Sequence, residues 1–168
     1  MRKIYLILVI LLVFTGSTLK AQCKIKNKVL ADGTMIYYFD PADFYITKSK
    51  SLKINIETDK ENYFVALQPS PFPPKKEGKK IKEDLVIHLS NKKQYKLTHY
   101  DTQYRHNDSI MQVLYLIDQK DIEDFSKFEA IVAEINMQGT EFVRDYTFKL
   151  HKDAIMEQLK CVLEKDKE

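Results

Sequence analysis

Four side chains past the middle of the chain have the types and spacing that could hold a metal ion: His99 and Asp101, then His106 and Asp108. On a strand the side-chain period is two, so a His-x-Asp pair places both groups on one face. Two such pairs would offer the nitrogen and oxygen ligands that zinc accepts. The same residue types are common in polar crossings, where they serve turns and solubility, and no third cluster with ligand spacing supports them. His88, within Val86-Ile87-His88-Leu89, reads as an ordinary strand residue, and His151 as an exposed one before the last helix. There is no Gly-x-Ser-x-Gly elbow for a nucleophile. Gly16, Gly33, Gly78 and Gly139 are too scattered to cradle a phosphate. The carboxylate pairs Asp32 with Asp40 and Asp121 with Asp124 suit turns and helix caps better than acid–base work.

The reading is therefore a non-enzymatic binding or interaction module without a cofactor. A metal-binding protein or metal-dependent enzyme built on His99, Asp101, His106 and Asp108 is the alternative. Tyr37, Tyr38, Tyr45, Tyr63, Tyr95, Tyr100, Tyr104 and Tyr115 could line a sugar or peptide surface, since a tyrosine ring tolerates half-exposure. The chain has no tryptophan, however, and cross-strand tyrosines are common in a sheet with one wet face.

The elements that must position these groups follow from periodicity. Lys24 to Leu30 and Thr34 to Phe39 flank Asp32-Gly33, the strongest hairpin signal, expected to close in a two-residue turn. Phe44 to Ile46 is a short strand, and Leu52, Ile54 and Ile56 alternate with Lys53, Asn55 and Glu57 in a half-buried one. Strands over Tyr63 to Gln68, Leu85 to Leu89 and Tyr95 to Tyr100 follow, with Asp101 to Ser109 as a polar crossing. Between them Pro69 to Lys80 should be an extended, solvated connector, with Phe72 on a proline arm beside a basic tip.

From Met111 onward the pattern is denser. Val113, Tyr115 and Ile117 belong to a strand buried on both faces, and Asp118 can cap a short helix whose Ile122 and Phe125 share a stripe. Strands through Ile131 to Met137 and Phe142 to Leu150 turn at Gln138-Gly139, with Arg144 flapped over the sheet edge. In the last helix Ile155, Leu159, Val162 and Leu163 form the core stripe at about 100° per residue, which puts Cys161 roughly 150° away on the outer flank, available to a segment such as the mature N-terminus. The class is α+β, a mainly antiparallel sheet with a short helix and a C-terminal helix packed on it.

The chain opens with Arg2-Lys3, eleven apolar residues from Ile4 to Phe14, and small residues leading to Ala21, the plan of a cleaved export signal. A bilayer span needs about 20 residues, so this run is too short to be one. Three of the 27 basic residues, Arg2, Lys3 and Lys20, lie in this leader, and the remaining basic and acidic side chains balance. Nucleic acid and anionic membrane lose their electrostatic argument. The expected organisation is a signal peptide over 1–21, one domain over 22–163 and a charged tail over 164–168, in the periplasm or outside the cell. In that setting Cys23 and Cys161 are first a disulfide, with intermolecular pairing, free thiols or lipidation of Cys23 as the other options.

Leu19-Lys20-Ala21-Gln22 resembles the export signals of Bacteroidetes bacteria. Asp118 to Phe125, the Phe128 to Leu150 hairpin and Ala154 to Leu163 resemble the ending of small secreted proteins of unassigned function from that group. The resemblance implies export and a compact α+β domain, and it transfers no catalytic residue; the expected partner, an unknown protein or envelope component, follows from the interaction-module reading.

Overall fold

The computed structural model describes residues 23–75, 81, 83–135, 144–147 and 150–165, with the backbone alone for 144 and 145. The expected leader, the basic tip over 76–80, the Gln138-Gly139 turn and the tail over 166–168 lie outside this set, as does the side chain of Arg144. Ten strands form one antiparallel sheet: β1 (Lys26–Val29), β2 (Met35–Tyr38), β3 (Ala42–Ile46), β4 (Ser51–Thr58), β5 (Tyr63–Ser70), β6 (Leu85–Leu89), β7 (Gln94–Arg105), β8 (Ile110–Ile117), β9 (Ala130–Ile135) and β10 (Arg144–Thr147). Their order is β1-β2-β4-β5-β8-β7-β6-β9-β10, with β3 also on β4. A 3₁₀ turn over Gln119–Asp121 leads into the short helix α1 (Ile122–Phe125), and α2 (Ala154–Lys165) closes the chain on β4 and β9.

The α+β class and the antiparallel sheet are as the periodicity implies. Leu52, Ile54 and Ile56 of β4, Val65 and Leu67 of β5, Val113 and Tyr115 of β8 and Leu85 and Ile87 of β6 turn one face onto Ile155, Leu159 and Val162 of α2. The sheet turns a corner within β7. Its first residues pair with β6 and its last with β8, and a register shift between His99 and Asp101 marks the bend. At the far edge the Leu150 amide donates to the Phe44 carbonyl at 3.4 Å, and the rings of Tyr45 and Tyr146 meet edge to face. The sheet thus wraps most of the way round its core.

Several local expectations change. The β1–β2 turn is a three-residue loop: Gly33 donates to the Leu30 carbonyl, Leu30 to Thr34, and Gly33 takes the left-handed φ of 89° that ends such a loop. Asp118 makes no side-chain cap, and Asp124 instead accepts from the Tyr95 hydroxyl and from Lys93. The proline arm is not a solvated strut as far as Lys75. Phe72 packs against the core and the Tyr104 ring, Pro73 is buried with its carbonyl bonded by the Tyr104 hydroxyl, and Lys75 pairs with Asp108.

Cys161 is the other correction. It is 8 % exposed and belongs to the core cluster, joined to Cys23 in a disulfide that closes a 138-residue separation. The helix is covered on a second flank because the segment entering β1 is tied there. Crosslinking a loop of this length stabilises by about 5 kcal/mol in the chain-entropy model. No described helix is long and apolar enough to cross a membrane.

Candidate functional site

The four residues of the metal-binding alternative are not brought together. The register shift in β7 defeats the His-x-Asp argument: His99 pairs with Tyr115 and Asp101 with Leu114, adjacent residues of β8 that point to opposite faces. His106 and Asp108 sit in the β7–β8 turn with positive φ values of 51° and 63°, and Asp108 is held by Lys75. Among the described residues no group of three or more His, Cys, Asp and Glu side chains could hold a metal. His99 has structural partners. Thr102 Oγ1 donates its one proton to the Ile81 carbonyl at 2.6 Å, so the 2.8 Å contact with His99 requires the proton on Nε2. The His99 amide and Lys96 hold the Asp84 carboxyl below the usual carboxylate range. Burial, with Asp84 nearby, pushes the Tyr115 hydroxyl far above the usual phenol value. His88 pairs with Glu134 across β6 and β9. The tyrosines are dispersed: Tyr63, Tyr95 and Tyr115 are core, while Tyr100 is exposed.

A different group converges, on the face of the sheet away from α2. Three rows can be followed across it. Tyr38, Glu57, Phe64, Leu116 and Thr98 form the first; Asn55, Ala66, Leu114 and Asp101 the second; Lys53 with Gln68, and Gln112 with Gln103, the third. Gln112 Nε2 donates to Glu57 Oε1 at 2.8 Å, although the two stand on rows apart and on strands separated by β5. Arg105 Nη2 approaches the same oxygen to 3.7 Å from β7, and Lys28 Nζ approaches Oε2 to 3.4 Å from β1.

These distances measure curvature. Thr98 is level with Glu57, and Arg105 lies seven residues further along β7. At about 3.3 Å per residue a flat sheet would hold the two Cα atoms more than about 20 Å apart. Only a sheet coiled along that diagonal lets the side chains meet, and the twist of antiparallel strands supplies a concave diagonal on each face. Glu57, Ala66, Gln112 and Arg105 all lie on this diagonal. Ala66 is the small residue over which the Glu57–Gln112 bond passes. The expected half-burial of β4 is corrected by the same curvature: Asn55 is 1 % and Glu57 3 % exposed.

The charges dictate the orientation of each amide. A carboxylate only accepts, so Gln112 turns its nitrogen to Glu57 and its oxygen to Gln68, whose Nε2 donates at 3.1 Å. Arginine only donates, so Gln103 gives its oxygen to Arg105 at 3.1 Å and its nitrogen to Asp101 at 2.8 Å. Beside them Phe64, Ala66 and Leu114 make a second apolar cluster, and the 63 % exposed Tyr100 lies on Phe64 with ring centres 4.7 Å apart. Sequence reasoning missed this group. Its signal was Asn55 and Glu57 interrupting an isoleucine strand, with Gln112 opening another apolar one. Comparison with known proteins adds no relative: no family model, no curated protein and no solved structure matches the chain.

Proposed function

We propose that the protein is an exported, non-enzymatic binding module and that its ligand surface is the coiled face around Glu57. The observation that carries this is the convergence of Lys28, Gln112 and Arg105 on one buried carboxylate. Surrounding side chains are held in fixed donor and acceptor orientations, and preorganised polar groups beside an apolar patch are the make-up of a recognition site. Glu57 is spent on its partners, which makes it a positioning charge and not a proton-transfer group. The network contains no serine, cysteine or histidine to act as a nucleophile or general base. The apolar leader and the Cys23–Cys161 disulfide support an oxidising compartment, periplasmic or extracellular.

The test is a ¹⁵N amide spectrum of the processed protein titrated with oligosaccharides, short peptides and small anions. A ligand of any of these classes that moves the amides of β4, β5, β7 and β8 together supports the reading. A hydrolase panel showing turnover abolished by one side-chain change would defeat it. The metal alternative is tested separately by elemental analysis of protein purified without chelators, where a stoichiometric ion lost on replacing His99, Asp101, His106 or Asp108 would be needed to sustain it.

A further inference from the structure

Resting on that reading, we propose that the coiled face takes a neutral oligosaccharide, stacked on the Tyr100 ring and bonded through its hydroxyl groups. Charge is the first argument. Lys28, Arg105 and Lys53 are matched by Glu57, Asp101 and Asp43, so the face offers no net field to select an ion. The second is the polarity of what is left over. Because Gln112 must turn its oxygen to Gln68, Gln68 spends its nitrogen inward and presents Oε1 as the outward end of the chain. Asn55 turns its nitrogen to the Ile56 carbonyl, and its Oδ1, buried on this face, has no hydrogen-bond partner. These two acceptors stand beside the spare N–H donors of Lys28 and Arg105, and a sugar hydroxyl, which both donates and accepts, can meet either kind.

The third argument is the exposed ring. Tyr100 leans on Phe64 at a ring tilt of 42°, which leaves most of its ring open to the C–H face of a sugar. A peptide adding as a strand would need the open main-chain groups of a sheet edge, and β4, β5 and β8 are each paired on both sides.

Processed ¹⁵N-labelled protein is titrated to low millimolar with neutral gluco-, xylo-, manno- and N-acetylglucosamine oligosaccharides, and in parallel with polygalacturonate fragments and an acidic peptide. At least one neutral sugar should move the amides around Gln68, Tyr100 and Gln112, and Tyr100→Ala should weaken it about tenfold while the protein stays folded with only a small drop in its unfolding midpoint. Silence of every neutral sugar, or shifts confined to another surface, overturns the inference. Binding of the anionic sugar or the peptide to this same face, without a neutral one, also overturns it but leaves the binding-module reading standing.

Discussion

The two faces of β4, β5 and β8 are both withdrawn from water, and they are built from opposite materials. Towards α2, Leu52, Ile54, Ile56, Val65, Leu67 and Val113 need only be apolar and of fitting size, since hydrophobic burial has no direction. On the other face Asn55, Glu57 and Gln112 are buried by curvature, and each amide has one admissible orientation. The first face makes the fold. The second specifies a shape, because a slip of one pairing along the diagonal would strand a carboxylate.

The largest effect should come from the apolar side. Leu159→Ala empties a fully buried position of α2 and should cost about 2–5 kcal/mol, read as a lower urea midpoint with an unchanged slope. A cost below that of the polar-face variants would break the division between the faces. Ala66→Leu tests the diagonal itself. The added side chain must occupy the path of the Glu57–Gln112 bond, so it should cost about 3 kcal/mol, the upper end for overpacking. Were Ala66 simply an apolar filler, the larger residue would be neutral. Glu57→Gln keeps an acceptor for Gln112 and removes the charge facing Lys28 and Arg105. Those two cations keep more than a quarter of their side-chain surface in water, so the loss should be only about 1–2 kcal/mol, shrinking in high salt.

How much of this was legible in the sequence differs between the same two faces. Ala133 and Ile135, or Leu85, Ile87 and Leu89, announce the core by alternation, although Ile131 of the same alternating set is exposed, and the exported-protein argument paired Cys23 with Cys161 from composition alone. The polar face resists such reading because its relations are diagonal. Glu57 meets Gln112 and Arg105 through sheet coiling, which no local spacing records. Residues Asp101 to Arg105 looked like a crossing because their outward members, Asp101, Gln103 and Arg105, are polar and hide the inward Thr102 and Tyr104. The bulge after His99 is equally silent in sequence, and it is what separates His99 from Asp101. On the outer flank of α2 the sequence pointed to Cys161 and to the N-terminal segment that meets it, but not to how deeply that segment buries the thiol.

The smallest expected effect concerns Asp84, a carboxylate near the buried Tyr115 hydroxyl. Its carboxyl is held below its ordinary value first by the His99 amide and then by Lys96. A depressed folded-state value means a stabilising contribution that is present above the unfolded value, about 4, and is lost as the pH falls through the folded one. Asp84→Asn retains an oxygen for the His99 amide but cannot carry the charge. It should therefore unfold at a lower urea concentration than the parent at pH 7, and the gap should narrow on acidification to about pH 3. A gap of equal size at both values would mean that the amide geometry at the β7 bend, and not the charge, is what Asp84 supplies. The bend would then be held as the apolar face is, by fit alone, and the contrast between the two faces would narrow to the Glu57 diagonal.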